Sequence, residues 1–243
     1  MLEHFDSPAH CLQELLAQAH TALPETLCAV LDVVPWYKRL TADWDQQPGA
    51  PLLPRAEVSM PELTWAHRLH LYNFRLWHTE DSVRRPGATD HVIAQSKRAI
   101  DTCNQQRHDQ IEQLDTWLFA YLYENNTSSL CNTELHSETP ANLLDRLSIL
   151  TLKMYYMGRE AERQDATVAH RQACRQRLAV LEEQYSDIYG CLCRLCLDLW
   201  SGRKTFKIYR QFKMYNDPEL NPQIYRHRRN SARAGEQDDR HDA

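Results

Sequence analysis

The sequence predicts an all-α protein, a single-domain bundle of long antiparallel helices with an extended C-terminal strap. Three observations carry that prediction. Glycine occurs only 6 times in 243 residues, too rarely for a sheet protein with many tight turns. Leu, Gln, Arg and Glu, which favour helix, are abundant. Apolar residues recur at steps of three and four over long stretches, the period of a helix with one buried side. The domain is expected to span residues 1–225, with covering helices over 1–50, a connection over 51–58 and the core over 59–225. Residues 226–243, mixed in sign and weakly apolar, read as a disordered tail.

The elements follow in order. Leu12, Leu15, Leu16 and Ala19 give a first helix over Ala9–His20, and a second is expected over Val30–Trp44. The proline-rich stretch 46–54 connects them to a third helix over Pro61–Arg84, with Ser59 as its cap and Glu62 completing a capping box. Arg85, Pro86 and Gly87 end it. A fourth helix is expected from Asp90 to Glu124, its stripe formed by Ile93, Ile100, Ile111, Leu114, Leu118 and Tyr121. The segment Asn125–Glu138 reads as a loop. Thr139 then caps a fifth helix with Pro140 at its first position, apolar around most of its circumference and therefore central. The last long helix carries Cys174, Leu178, Leu181, Tyr185, Ile188, Leu192, Leu195 and Leu199 as a bundle seam. Gly202 stops it, and the aromatic segment Phe206–Tyr225 reads as a strap.

Composition excludes several function classes. A net charge of -5 argues against a globally electrostatic nucleic-acid binder. No run is long and apolar enough for a membrane span, and the N-terminal stretch lacks the basic and apolar regions of a signal peptide. Reduced thiols in the cytoplasm are therefore the expected state of the 8 cysteines. Cys191, Cys193 and Cys196 fall inside a helical pattern without paired CxxC spacing, which favours a core thiol cluster over a metal site.

The third helix departs from the usual amphipathic pattern. Stepped at about 100° per residue, its inward sector holds His67, His70, Asn73, Trp77, His78 and Asp81, while Arg68, Tyr72, Arg75 and Thr79 face solvent. Two further polar clusters interrupt apolar stripes: Lys97, Asn104 and Arg107 on the fourth helix, and Arg146 with Lys153 on the fifth. Glu160 continues the spacing of seven. One reading is a structural network in which Asp81 or Glu160 pairs with Arg107 or Arg146. A second is a chamber for a phosphate or carboxylate, because these side chains offer more donors than the nearby carboxylates accept. In that chamber Arg107, Arg146 and Lys153 neutralise charge, Asn73 or Asn104 orients the ligand, Lys97 helps to complete the wall, and Trp77 stacks on a sugar or base. His70 or His78 would act as acid or base, with Asp81 orienting an imidazole. A third reading, a His and Asp metal site acting as a hydrolase, has poor spacing, with neither HExxH nor a repeated Glu-x-x-His. No metal ligand is assigned, and no cofactor motif identifies a cofactor.

The stretches NFRLWHTEDSVRR, KRAIDTCNQQRHDQIEQLD and TPANLLDRLSILTLKMYYM resemble, in this order, the bacterial family of a domain of unknown function numbered forty-two fifty-four. The resemblance covers roughly Leu52–Tyr225. It carries over to Asn73, Trp77, His78, Glu80 and Asp81, to Lys97, Asp101, Asn104 and Arg107, and to Arg146 and Lys153. It implies a cytoplasmic helical protein often encoded beside genes for lipopolysaccharide or other cell-surface glycan assembly, and it brings no established reaction. The functional expectation is an enzyme or enzyme-like protein that binds an anionic, phosphorylated sugar or nucleotide-sugar. The alternative is a non-catalytic adaptor that docks a glycosyltransferase through the strap.

Overall fold

The computed structural model describes residues 8–46, 61–125, 133–210 and 218–226. Among them lie α1 (Pro8–Ala22), α2 (Glu25–Gln46), α3 (Pro61–Val83), α4 (Asp90–Asn125), β1 (Glu134–His136), α5 (Pro140–Glu162), α6 (Val168–Trp200) and β2 (Lys204–Phe206). The chain forms two compact units, Met1–Ile208 and Tyr209–Ala243. The strap expected over Phe206–Tyr225 therefore crosses a boundary between units. In the second unit, Asn221 caps a helical turn through the Gln223 amide at 2.9 Å. The proline-rich connection, the Ser59 cap and nearly all of the expected tail lie outside the described residues.

α5 is central, touching α2, α3, α4 and α6. Its start is fixed twice. Thr139 accepts a hydrogen bond from the Asn142 amide at 3.2 Å, and Pro140 occupies a position where a missing N–H costs nothing. Asp115 of α4 reaches across to accept from the Ala141 amide at 3.1 Å. Burial pushes the Asp115 carboxyl up to about 7, against its hydrogen bonds from Thr139 and Ala141. α6 ends on Gly202 at φ 71°, with the Gly202 amide on Leu199 and the Arg203 amide on Asp198, the paired closure that needs a left-handed residue. The loop expected before α5 contains a short strand instead. β1 pairs in parallel with β2, Leu135 opposite Thr205. Each strand has only 3 residues, too few to show an alternating pattern.

α2 contains Pro35 in its interior. Proline has no N–H to bond the carbonyl four residues earlier, which leaves Leu31 O unpaired within the helix. The Tyr189 hydroxyl of α6 donates to it at 2.9 Å, in a buried position. Tyr189→Phe is expected to lower stability by about 1–2 kcal/mol by stranding that carbonyl. Chemical denaturation measures it, and a loss of under a few tenths would show that the carbonyl finds another partner.

α3 buries Ala66, His67, Leu69, His70, Leu71, Asn73 and Phe74, so polar and apolar groups share its inner side. Its last turns emerge, leaving His78 and Asp81 exposed. Arg68 and Arg75 are exposed as the helical period predicts, whereas Tyr72 and Thr79 are half-buried. On α4 the stripe is buried at Ile100, Ile111, Leu114 and Leu118 but not at Ile93, which is 40% exposed. Among the described residues no helix is long and apolar enough to cross a membrane.

Candidate functional site

The polar groups of α3 fall into two environments. The first is a buried chain of hydrogen bonds with one consistent direction. Thr41 Oγ1 donates to the Tyr37 carbonyl at 2.8 Å, so it accepts from His70 Nε2–H at 3.0 Å. His70 Nδ1 then accepts from the Ser148 hydroxyl at 2.8 Å, and Ser148 Oγ accepts from Asn73 Nδ2 at 3.0 Å. Asn73 also donates to Asp145 at 2.8 Å, while its oxygen accepts from Arg107 at 3.3 Å. Arg107 lies 3.9 Å from the Asp145 carboxylate. The His70 ring is fully buried and stacks on Tyr37 and Trp44. Desolvation lowers its pKa to about 3, which keeps the ring neutral, as both hydrogen bonds require.

Asp145 is the acceptor that the sequence reading overlooked. It balances the Arg107 charge and accepts from Asn73, which reduces the donor surplus at this end of the bundle, while the buried Arg107 Nε makes no hydrogen bond. Burial pushes its carboxyl up, while the Arg107 charge and the Asn73 hydrogen bond pull it down. His70, with both nitrogens engaged and no exposed surface, has no lone pair directed at solvent.

The second environment is an open groove of about 600 Å³ between α3, α5 and α6. Trp77 and Lys153 line it together with Tyr156, Met157, Glu160, Arg177, Val180 and Leu181. Trp77 and Tyr156 are stacked with ring centroids 5.0 Å apart and planes within 9°. Both rest on a small apolar cluster of Leu40, Trp44, Leu71, Phe74 and Leu152. The Tyr156 hydroxyl donates to Asp45 at 3.0 Å and accepts from His78 Nε2–H at 2.9 Å. Asp45 also accepts from Tyr155 at 3.1 Å and pairs with Arg159. Burial, then the Asp45 carboxylate, push the Tyr156 phenol well above its usual range, so it stays protonated. Glu160 is held by His170 at 3.0 Å and Arg163 at 2.8 Å. Lys153 and Arg177 have no hydrogen-bond or ion-pair partner among the described residues.

The remaining candidates lie elsewhere. Arg146 is exposed and pairs with Glu138 at 2.6 Å. Lys97, also exposed, pairs with Asp101 one turn along α4 at 2.7 Å. Asn104 is half-buried on α4, and Asp81 is exposed at the end of α3. The expected single chamber thus divides: His70, Asn73 and Arg107 belong to the internal network, Trp77, His78 and Lys153 to the groove and its edge, and Lys97 and Arg146 to surface pairs. The physical reason is register. A spacing of seven keeps Lys153 and Glu160 on the groove, but two turns earlier the same side of α5 meets Glu138. Asp45, Tyr156 and Arg177 were missed because each reads alone as an ordinary surface or core position.

A second depression, of about 480 Å³, lies on α3 and α4 beside Trp65 and Trp117, and its polar lining is Asp109, Glu112, Gln113 and Thr116. It carries carboxylates and no cation, so anions are disfavoured there. Among the described residues no group of three or more His, Cys, Asp or Glu side chains could hold a metal ion. Of the cysteine core, Cys193 and Cys196 are buried, and desolvation raises the Cys193 thiol to about 12.

Fold and groove together define a helical bundle with an aromatic, cation-edged surface groove. The family model described as "Protein of unknown function (DUF4254)" matches residues 63–208, more than half of the chain, and the protein belongs to that family. No curated protein and no solved structure matches the chain.

Proposed function

We propose that this protein binds a phosphorylated sugar or nucleotide-sugar-like anion in the α3–α5–α6 groove, as a cytoplasmic component of bacterial envelope-glycan assembly. The setting is the one that the family resemblance implies. The observation that supports binding is the pairing of two uncompensated cations, Lys153 and Arg177, with an aromatic wall of Trp77 and Tyr156. Cations at a largely apolar concavity attract an anion more strongly than they would on a flat wet surface, because field lines concentrate there. The volume of about 600 Å³ falls inside the range of about 300–1,000 Å³ usual for small-molecule sites.

Thermal unfolding in the presence of sugar phosphates and nucleotide-sugars tests the reading. A ligand at one hundred times its Kd stabilises the folded state by about 2.7 kcal/mol. Lys153→Ala and Arg177→Ala are both exposed positions, so the variants should keep the unliganded Tm while losing most of the shift. A shift that persists in both variants, or none with any anion, refutes the groove as an anion site.

A further inference from the structure

We infer that the groove recognises a planar aromatic ring attached to the phosphate, as in a nucleotide, and makes no specific contact with a sugar ring. The inference rests on the anion reading above and narrows it. Its basis is the polar inventory of the groove wall. The Tyr156 hydroxyl is occupied on both sides, donating to Asp45 and accepting from His78. Glu160 holds His170 and Arg163 through Oε2 alone, which leaves Oε1 as a single acceptor on the wall. Met157, Val180 and Leu181 offer only weakly polar or carbon surface, which leaves the two cations, one Glu160 oxygen and the Trp77 indole N–H as the polar groups without a partner among the described residues.

A sugar lying against that wall would give up water at several hydroxyls and find few partners, which weakens binding. A nucleotide can lay the flat face of its base on the rings while its base edges and ribose hydroxyls stay in water, so it meets less of that penalty. Trp77 and Tyr156 already cover one face of each other, so a base would stack on an outer face of the pair, and base–aromatic stacking tolerates any base with a flat face. Lys153 on α5 and Arg177 on α6 flank the same wall and supply charge for the phosphate. The Trp65–Trp117 depression shows the contrast, because there the aromatic rings are accompanied by carboxylates, an amide and a hydroxyl, the groups a hydroxylated ligand needs.

Isothermal titration of the full chain with UMP, AMP, glucose 1-phosphate, decyl phosphate and inorganic phosphate separates the outcomes. The expected result is binding of at least one nucleotide about tenfold or more tighter than glucose 1-phosphate, decyl phosphate and inorganic phosphate. Trp77→Ala should abolish that advantage while leaving phosphate binding in place, and Trp77→Phe should restore most of it. Glucose 1-phosphate binding as tightly as either nucleotide overturns the inference, and so does decyl phosphate binding tighter than both. Should no probe bind, phosphate included, the anion reading fails and the narrower inference with it.

Discussion

His70→Ala is expected to lower the folding free energy by about 3–5 kcal/mol, the largest loss among single substitutions in the internal network. Two effects combine. The imidazole stacks on Tyr37 with centroids 4.4 Å apart and on Trp44 at 5.3 Å, so its removal leaves a cavity against two aromatic faces in a fully buried place. It also strands the Ser148 hydroxyl, which loses its acceptor, and removes the donor to Thr41. Ser148→Ala should cost less, about 1–2 kcal/mol, since the ring and its stacking remain. The two changes should couple, because a Ser148 hydroxyl already lacking its acceptor has less to lose, and a double-mutant cycle by urea denaturation should show an interaction of about 0.5–3 kcal/mol. A loss below about 1 kcal/mol for His70→Ala would mean that the chain of hydrogen bonds carries little of the stability.

The same network shows what one sequence can and cannot disclose. Helical period identified α3 as unusual and placed His67, His70 and Asn73 on its inner side, where all three are buried. The fifth helix and its Thr139 cap were equally legible, because capping is local chemistry. Pairing across helices is not local. Asp145 stands next to Arg146, but about 100° of rotation sends one into the bundle toward Asn73 and the other out to Glu138. Which of the two meets α3 depends on the rotation and offset of α5 against α3, and these are set by packing of side chains far along both helices. Asp45 illustrates the same limit, since it lies at the end of α2 and meets Tyr155, Tyr156 and Arg159 more than a hundred residues later. The family resemblance named several residues of both places but not the partition between them.

That partition leaves two buried titratable groups with opposite consequences for pH. His70 has its pKa lowered from 6.5 to about 3, so the unfolded chain takes up a proton before the native state does. Its contribution is complete above about 6.5 and is lost as pH falls toward 3. Asp115 has its pKa raised from 3.8 to about 7, so here the native state holds the proton longer. Its contribution is complete below about 3.8 and is lost as pH rises through 7. Between roughly pH 4 and 6.5 the two slopes oppose each other, each reaching about 1.4 kcal/mol per pH unit at most. Asp115→Asn keeps an oxygen for the Ala141 amide and cannot ionise. Relative to the natural chain, its stability should therefore improve steadily from pH 4 to pH 8, by up to about 4 kcal/mol over the window, whatever its offset at pH 4. His70→Gln should change with the opposite sign, becoming relatively more stable as pH falls from 6.5 toward 3, because it removes the acid-sensitive group, whereas Asp115→Asn gains as pH rises. Urea denaturation at several pH values reads both differences directly, and parallel curves for Asp115→Asn and the natural chain would show that Asp115 is ionised in the folded state as readily as in the unfolded one.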